Sequence, residues 1–330
     1  MTAALKRHWF LLGLLTVIPA AIVIAQASPP ASVVHAIEAA PTPACTAIIL
    51  FLMSVTLNTG RLLDSVRHPG PWLLACGVNQ IVIPLLCLPL LTLQKSADMQ
   101  VGLLIAACVP CTMAAASVWT RRANGNDAVS LLVTLITNGL CFVVTPLWMI
   151  VGSRWFGTSQ TSPALNFGSL MLKMALTALA PALFGQLLRR SAVVAAFVDR
   201  YKPWFSNLAQ AIILALVFVS SFRGGLRFQQ DGMAGDLRHT EFAIVWMCCI
   251  GLHLAGMLIA WMLSGALKFA SADRRACAIA GSQKTLPIGI LISQATGQPF
   301  SLLPMLMYHA SQLFIDTWIA DRMKSGDDPS

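Results

Sequence analysis

Ten stretches of this 330-residue chain stay apolar for about the length of a membrane crossing: near 9–26, 43–58, 71–93, 100–120, 127–152, 165–188, 206–222, 241–266, 275–294 and 301–320. About 20 such residues span a hydrocarbon core. Inside lipid every backbone N–H and C=O must find a partner within the protein, so runs of this length are read as helices. The fold class is all-α integral membrane with ten transmembrane helices. Only 11% of the residues are charged, against about 25% in a soluble domain, so membrane lipid is the main partner of the outer surface. The net charge of +9 would suggest nucleic acid in a soluble chain. Here the Lys and Arg residues sit in short loops, and no nucleic-acid partner is expected. The nine cysteines lie nearly all within apolar runs, as small hydrophobes rather than a disulfide framework.

The loops orient the spans. With the N-terminus in the cytoplasm, fifteen Lys and Arg fall inside: Lys6, Arg7, Arg61, Arg67, Arg121, Arg122, Arg189, Arg190, Arg200, Lys202, Lys268, Arg274, Arg275, Arg322 and Lys324. Five fall outside: Lys95, Arg154, Arg223, Arg227 and Arg238. The bias alternates loop by loop, as the positive-inside rule requires, and puts both termini in the cytoplasm of an inner or plasma membrane. Lys6-Arg7, the apolar run and Ala25-Gln26-Ala27 also resemble a cleavable signal peptide. Cleavage would remove the opening helix of the repeat described next, so the segment is kept as the first span.

Five helices plus five make two halves, 1–160 and 161–330, and an odd number per half inserts them with opposite orientation, an inverted repeat. Ala47–Leu62 (AIILFLMSVTLNTGRL) aligned with Ala211–Leu226 (AIILALVFVSSFRGGL) gives eight identities in sixteen positions without a gap. That pairs the second helix with the seventh, as a five-plus-five repeat demands.

The fourth helix of each half is broken. The first reads AACVPCTMAAASVWT around Pro110; the second reads CAIAGSQKTLPIGILIS around Gly281 and Pro287. A proline removes a donor and frees a carbonyl one turn back. Non-helical backbone at membrane depth is tolerated where it lines a cavity, which makes paired interruptions the best pointer to a transport site. The ninth span also places Ser282, Gln283, Lys284 and Thr285 consecutively at mid-membrane, where a lysine is costly enough to imply function. Lys173 and Asp316 lie near span ends and can snorkel. His253 and the Tyr308-His309 pair read as neutral histidines hydrogen-bonded between helices, or as proton carriers. Cys108 and Cys111 form a CxxC without a second ligand pair, and no metal or cofactor is expected from it.

At these residues the chain resembles the bile acid:sodium symporter superfamily, and within it the SBF-like branch. The resemblance covers nearly the whole length. It is most specific in the stretch from Val109 through Thr120, in Ala123-Asn124-Gly125-Asn126, in Val144-Thr145-Pro146, in Gly281–Lys284 and in the tail Tyr308–Leu313. It implies a panel of helices 1, 2, 6 and 7 beside a core of helices 3–5 and 8–10, in which the broken fourth and ninth helices cross. In sodium-coupled members the resemblance implies two sodium sites. Their fifth-helix Ser and Thr fall here on Ser130 and Thr134, and their ninth-helix Gln falls on Gln283. Their Ser-Asn pair falls on Ala116 and Ser117, their third-helix Gln on Asn79 with Gln80 beside it, and their Glu on Ile279. A weak cation site at Ser130, Thr134 and Gln283 is what remains. Losing a carboxylate and gaining Lys284 puts two-sodium coupling in question. Lys284 then either supplies in fixed form the positive charge that sodium would bring, or itself carries a coupling proton.

These readings lead to a secondary active transporter of an organic anion working by alternating access, with Na⁺ or H⁺ as coupling ion. A membrane-embedded enzyme is the rival from another class. Its candidate groups within spans, His253, His309 and Asp316, follow no protease or metal motif. A channel or a non-transporting scaffold is the third possibility, separable from a carrier by counterflow in proteoliposomes.

Overall fold

The computed structural model describes residues 3–57, 66–113, 115–155, 167–230 and 239–325, with no strand among them. Arg61 and Arg238 of the loop charges, the end of the repeat beyond residue 57, and the boundary between 160 and 161 lie outside the described residues. In chain order the helices are α1 (Ala3–Gln26), α2 (Ala31–Glu38), α3 (Thr42–Val55), α4 (Pro69–Leu91), α5 (Ala97–Cys108), α6 (Ala115–Arg122), α7 (Asp127–Trp155), α8 (Gly168–Arg189), α9 (Ala192–Arg200), α10 (Lys202–Gln230), α11 (His239–Ala266), α12 (Ser271–Ser282), α13 (Leu286–Thr296) and α14 (Leu302–Ser325). The short α2 and α9 fall between the expected spans; at eight and nine residues neither is long enough to register as a crossing.

Five helices, α4, α7, α8, α10 and α11, are each long and apolar enough to cross a membrane, and α2 with α3, bent by 47° at their junction, make a sixth. The other four expected spans fall short for visible reasons. The fourth is divided between α5 and α6 and the ninth between α12 and α13. In α1 the apolar part is Leu12–Gln26. The hydropathy of α14 is lowered by Tyr308, His309, Ser311, Gln312 and Asp316, all of them buried. On the outside, Leu176, Leu183, Met247, Leu258 and Met262 are each more than half exposed. Such a surface would associate in water, and lipid satisfies it. The chain is an integral membrane protein.

Helix α1 runs along α10, and α3 packs on α8 and α10. Around the two interruptions pack α4, α5, α7, α11, α12 and α14. The turn after α6 is tied to the start of α12: Asn126 donates from its backbone to the Ala272 carbonyl at 2.9 Å and from its side chain to Asp273 at 2.8 Å. Backbone comes closest to a glycine at Gly102 of α5, where an added Cβ would lie 2.5 Å from the Ser301 carbonyl oxygen and 2.7 Å from the Pro304 ring. Backbone cannot move aside as a flexible side chain can. Gly102→Ala is expected to cost about 1–3 kcal/mol, read as a lower midpoint in thermal melts of the detergent-purified protein. An unchanged midpoint would show that this contact relaxes freely.

Candidate functional site

Between α5 and α6 the chain runs unwound from Val109, and the freed backbone groups are claimed one by one, as buried polar groups must be. The Cys108 carbonyl accepts from Thr145 at 3.0 Å, and the Cys111 carbonyl from Asn138 at 2.8 Å. The Thr112 carbonyl accepts from Thr134 at 3.0 Å, and the Cys111 N–H donates to Thr137 at 3.2 Å. All four partners stand on α7. The carbonyls of Pro110 and Val109 are taken by the other interruption: Pro110 accepts from the Thr285 N–H at 2.9 Å, and Val109 from Lys284 Nζ at 3.1 Å. The breaks at Pro110 and at Gly281–Pro287 are therefore in direct contact.

The second break is closed in the same way. The Ser282 carbonyl accepts from the Tyr308 hydroxyl at 2.8 Å. Pro287 has no N–H to offer the Gln283 carbonyl a turn before it, and Asn79 donates there instead at 2.9 Å. Gln312 pairs with Lys284 through both its polar atoms, accepting from the Lys284 N–H and donating to the Lys284 carbonyl, each at 2.9 Å.

Lys284 is wholly buried. Within α4 the turn Val78–Val82 is a π-helix, and it is followed by Pro84, which offers no N–H to carbonyls one turn back. The Gln80 carbonyl accepts from Trp148 at 2.8 Å, and the Asn79 carbonyl accepts from Lys284 Nζ at 2.6 Å. With Val109 and the Asn79 side-chain oxygen at 3.4 Å, the amino group meets three oxygens. Three acceptors match the three hydrogens of an ammonium. Lys284 thus fills a cage of oxygens of the kind that would otherwise suit a bare cation.

Asp316 departs from its expected place. It does not snorkel from a span end: its side chain is fully buried, with Oδ1 2.8 Å from His253 Nε2 and Oδ2 2.5 Å from the Gln283 amide nitrogen. An acidic side chain from α14 and the lysine next in the chain thus stand on either side of Gln283. His253 Nδ1 lies 3.2 Å from the Ser282 carbonyl oxygen, a histidine bonded between helices as its sequence position suggests.

The remaining expected residues are placed as follows. Thr134 and Gln283 meet through Thr112, whose hydroxyl donates to Gln283 Oε1 at 2.8 Å while accepting from the Ala116 N–H at 2.9 Å. Ser130 is instead paired with Thr120 at 2.7 Å. Gln283, with its oxygen on Thr112 and its amide on Asp316, is a link in a hydrogen-bond chain. Gln80 donates to the Asn79 side chain at 3.1 Å; Ser117 is buried on α6. Among the described residues no three His, Cys, Asp or Glu side chains gather as a metal-binding group. Thr112 and Gln312 are the site residues the sequence reading passed over. Thr112 had a signal: it follows a proline and precedes a helix, where a hydroxyl caps free N–H groups.

Beside the two interruptions lies a cavity of about 750 Å³ whose wall includes Thr112, Ala115, Thr285, Pro287 and His309. Helices α6 and α13 both begin there, presenting the positive ends of two helix dipoles. The walls are otherwise largely apolar, from Phe10 and Met53 to Ile213 and Leu313. At the other end Arg122 reaches Asp321 through two bonds of 2.5 and 2.7 Å and stacks over Trp119 at 5.4 Å. The hydrogen bonds to Asp321 push the Arg122 guanidinium above the ordinary arginine range. Gln312 settles the tautomer of His309: its oxygen is held by the Lys284 N–H, so its amide donates to His309 Nδ1 at 2.8 Å. His309 therefore carries its proton on Nε2.

Comparison with known proteins gives a consistent picture. The family described as SBF-like CPA transporters matches residues 8–325. The Danio rerio protein named sodium/bile acid cotransporter 7 is 24% identical, over 98% of each chain. An Arabidopsis thaliana protein named probable sodium/metabolite cotransporter BASS4, chloroplastic, is 27% identical over 88% of this chain and 67% of its own.

Proposed function

Because this chain belongs to the SBF-like CPA transporter family, of the bile acid:sodium symporter superfamily, we propose that it is a secondary carrier of an organic anion with Lys284 as a built-in cation. The observation that carries the reading is the cavity wall at Thr112, Ala115 and Thr285, where α6 and α13 begin and where Lys284 is the residue next to Thr285 in the chain. Two dipole ends and an ammonium favour an anionic head group, and the apolar walls suit a hydrophobic body. The names of the relatives, which speak of bile acid and metabolite cotransport, point the same way.

In this reading the chain forms ten spans in two inverted halves, 1–160 and 161–330, with both termini in the cytoplasm of an inner or plasma membrane. The contact of two interruptions, each in the fourth span of its half, supports that repeat. The cavity then opens inward, since Arg122 and Asp321 stand at cytoplasmic span ends. Alternating access moves the panel of spans 1, 2, 6 and 7 against the core. Sodium is not required, because an ammonium already sits among the carbonyls of Val109 and Asn79.

A thermal-shift screen of the purified full chain against carboxylates, sulfates and bile acids, with and without sodium and across pH, tests this. A true substrate at a hundred times its Kd should stabilise by about 2.7 kcal/mol, equally in sodium and in choline. Stabilisation by neutral or cationic solutes alone would overturn the anion reading, and a sodium-dependent shift would overturn the built-in cation. Counterflow of the stabilising anion in proteoliposomes separates a carrier from a channel.

A further inference from the structure

The hydrogen-bond partners of His253 count protons. The Ser282 carbonyl can only accept, so Nδ1, 3.2 Å away, carries hydrogen. A neutral imidazole so protonated presents a bare lone pair at Nε2, facing Asp316 Oδ1 at 2.8 Å. Two lone pairs do not meet at that distance. A second hydrogen must lie between them, on Nε2 as an imidazolium beside a carboxylate or on Oδ1 as a carboxylic acid beside a neutral ring. In either form the pair holds one proton more than a neutral histidine next to a carboxylate. Both side chains are fully buried.

We infer that His253 and Asp316 form a proton-binding site inside the membrane, and that the proton bound there is the ion that accompanies the anion. The inference rests on the anion-carrier reading above. With Lys284 as an ammonium, the proton-loaded site carries a net charge of +1 and the empty site is neutral, so only the loaded site balances a monoanion. Charge imbalance in a low-dielectric interior is costly, and this links the two ligands. A continuous chain joins them: Asp316 Oδ2 to the Gln283 amide at 2.5 Å, Gln283 Oε1 to the Thr112 hydroxyl at 2.8 Å, and Thr112 on the cavity wall. The proton enters from solution and leaves to solution, and no bond in the substrate changes.

The other titratable groups interacting with Asp316 are Tyr308 and His309 on α14 and Cys111 at the fourth-span break, and Lys284 follows Gln283, the residue whose amide Asp316 accepts from. The ring of Tyr308 lies 5.7 Å from that of His253, and its hydroxyl donates to the same Ser282 carbonyl. His309 is fixed as a donor on Nε2 by Gln312. Of these groups only Lys284 adds a formal charge beside the pair.

The test uses the full chain in lipid nanodiscs labelled with ¹⁵N-histidine, with His253→Gln to assign the signal. Nitrogen NMR should find His253 Nδ1 protonated, and one proton should leave the pair as the pH is raised, seen at Nε2 or as conversion of a carboxylic-acid infrared band to carboxylate. Asp316→Asn should remove that step. An Nε2–H tautomer with bare Nδ1 at every pH, or no proton released, would overturn the site; both are read on wild-type protein, whatever becomes of the variant. For coupling, binding of the anion found in the screen should weaken about tenfold or more across that proton release, and Asp316→Asn should flatten the dependence. Anion binding that ignores the release would overturn the coupling. A screen that finds no anion would overturn the carrier reading and the coupling with it, while the nitrogen spectrum still decides the proton site.

Discussion

Replacing Lys284 by methionine is expected to abolish anion-dependent stabilisation and transport and to cost about 2–6 kcal/mol of stability. The change strips the Asn79 and Val109 carbonyls of their common donor, and each buried acceptor left without a partner costs roughly 1–3 kcal/mol. It also leaves Asp316 without the positive charge that neighbours it across Gln283. Lys284→Gln separates these effects, since it removes the charge but keeps an N–H donor on a shorter chain. Its stability should fall less while anion binding is still lost. Wild-type transport by Lys284→Gln, with the wild-type pH dependence, would sink any role for the charge, whether as fixed cation or as proton carrier.

The second large effect is expected at Asn79. Its amide nitrogen donates to the Gln283 carbonyl at 2.9 Å and lies 3.3 Å from that of Gly281, while its side-chain oxygen accepts from Gln80 and faces Lys284. Leucine has the same branched skeleton and does none of this. Asn79→Leu should therefore cost roughly 2–5 kcal/mol by leaving buried groups unpaired, measured as a shift in denaturation of the protein in detergent. It should also weaken anion binding, because the end of α12 and the seat of Lys284 depend on the same side chain. A loss below about 1 kcal/mol, within the range of an ordinary hydrogen bond, would mean that water or a neighbour replaces Asn79 and that the π-turn is not essential to the site.

Much of this site could be read from the chain alone because its parts are punctuated: Pro110, Gly281 and Pro287 interrupt apolar runs, and Lys284 is a charge where lipid tolerates few. Asp316 was harder to place. Judged by distance along an apolar run it stood near a span end, but Tyr308, Gln312 and Asp316 recur every four residues and so share one face of α14. That spacing was the available signal of an inward polar stripe. Thr134, Asn138 and Thr145 form a comparable stripe on α7, where the cation-site reading used only Ser130 and Thr134. Contacts such as Thr112 with Gln283, or Asn79 with Gln283, join residues more than 170 positions apart. No local pattern encodes such a meeting; it follows from the packing of whole helices.

The unwound segments at Val109–Thr112 and Gln283–Thr285 have no helical ladder of their own, yet side chains from α4, α7 and α14 hold them, and the two segments hold each other. Mechanically they are welds and not hinges. A load applied at either break passes at once into several other helices, so compliance would have to come from surfaces where helices merely rest on one another, as α3 and α10 do on α13. Irregular backbone is therefore expected to be the more rigid part of the membrane interior, with the regular helices around it supplying whatever gives way.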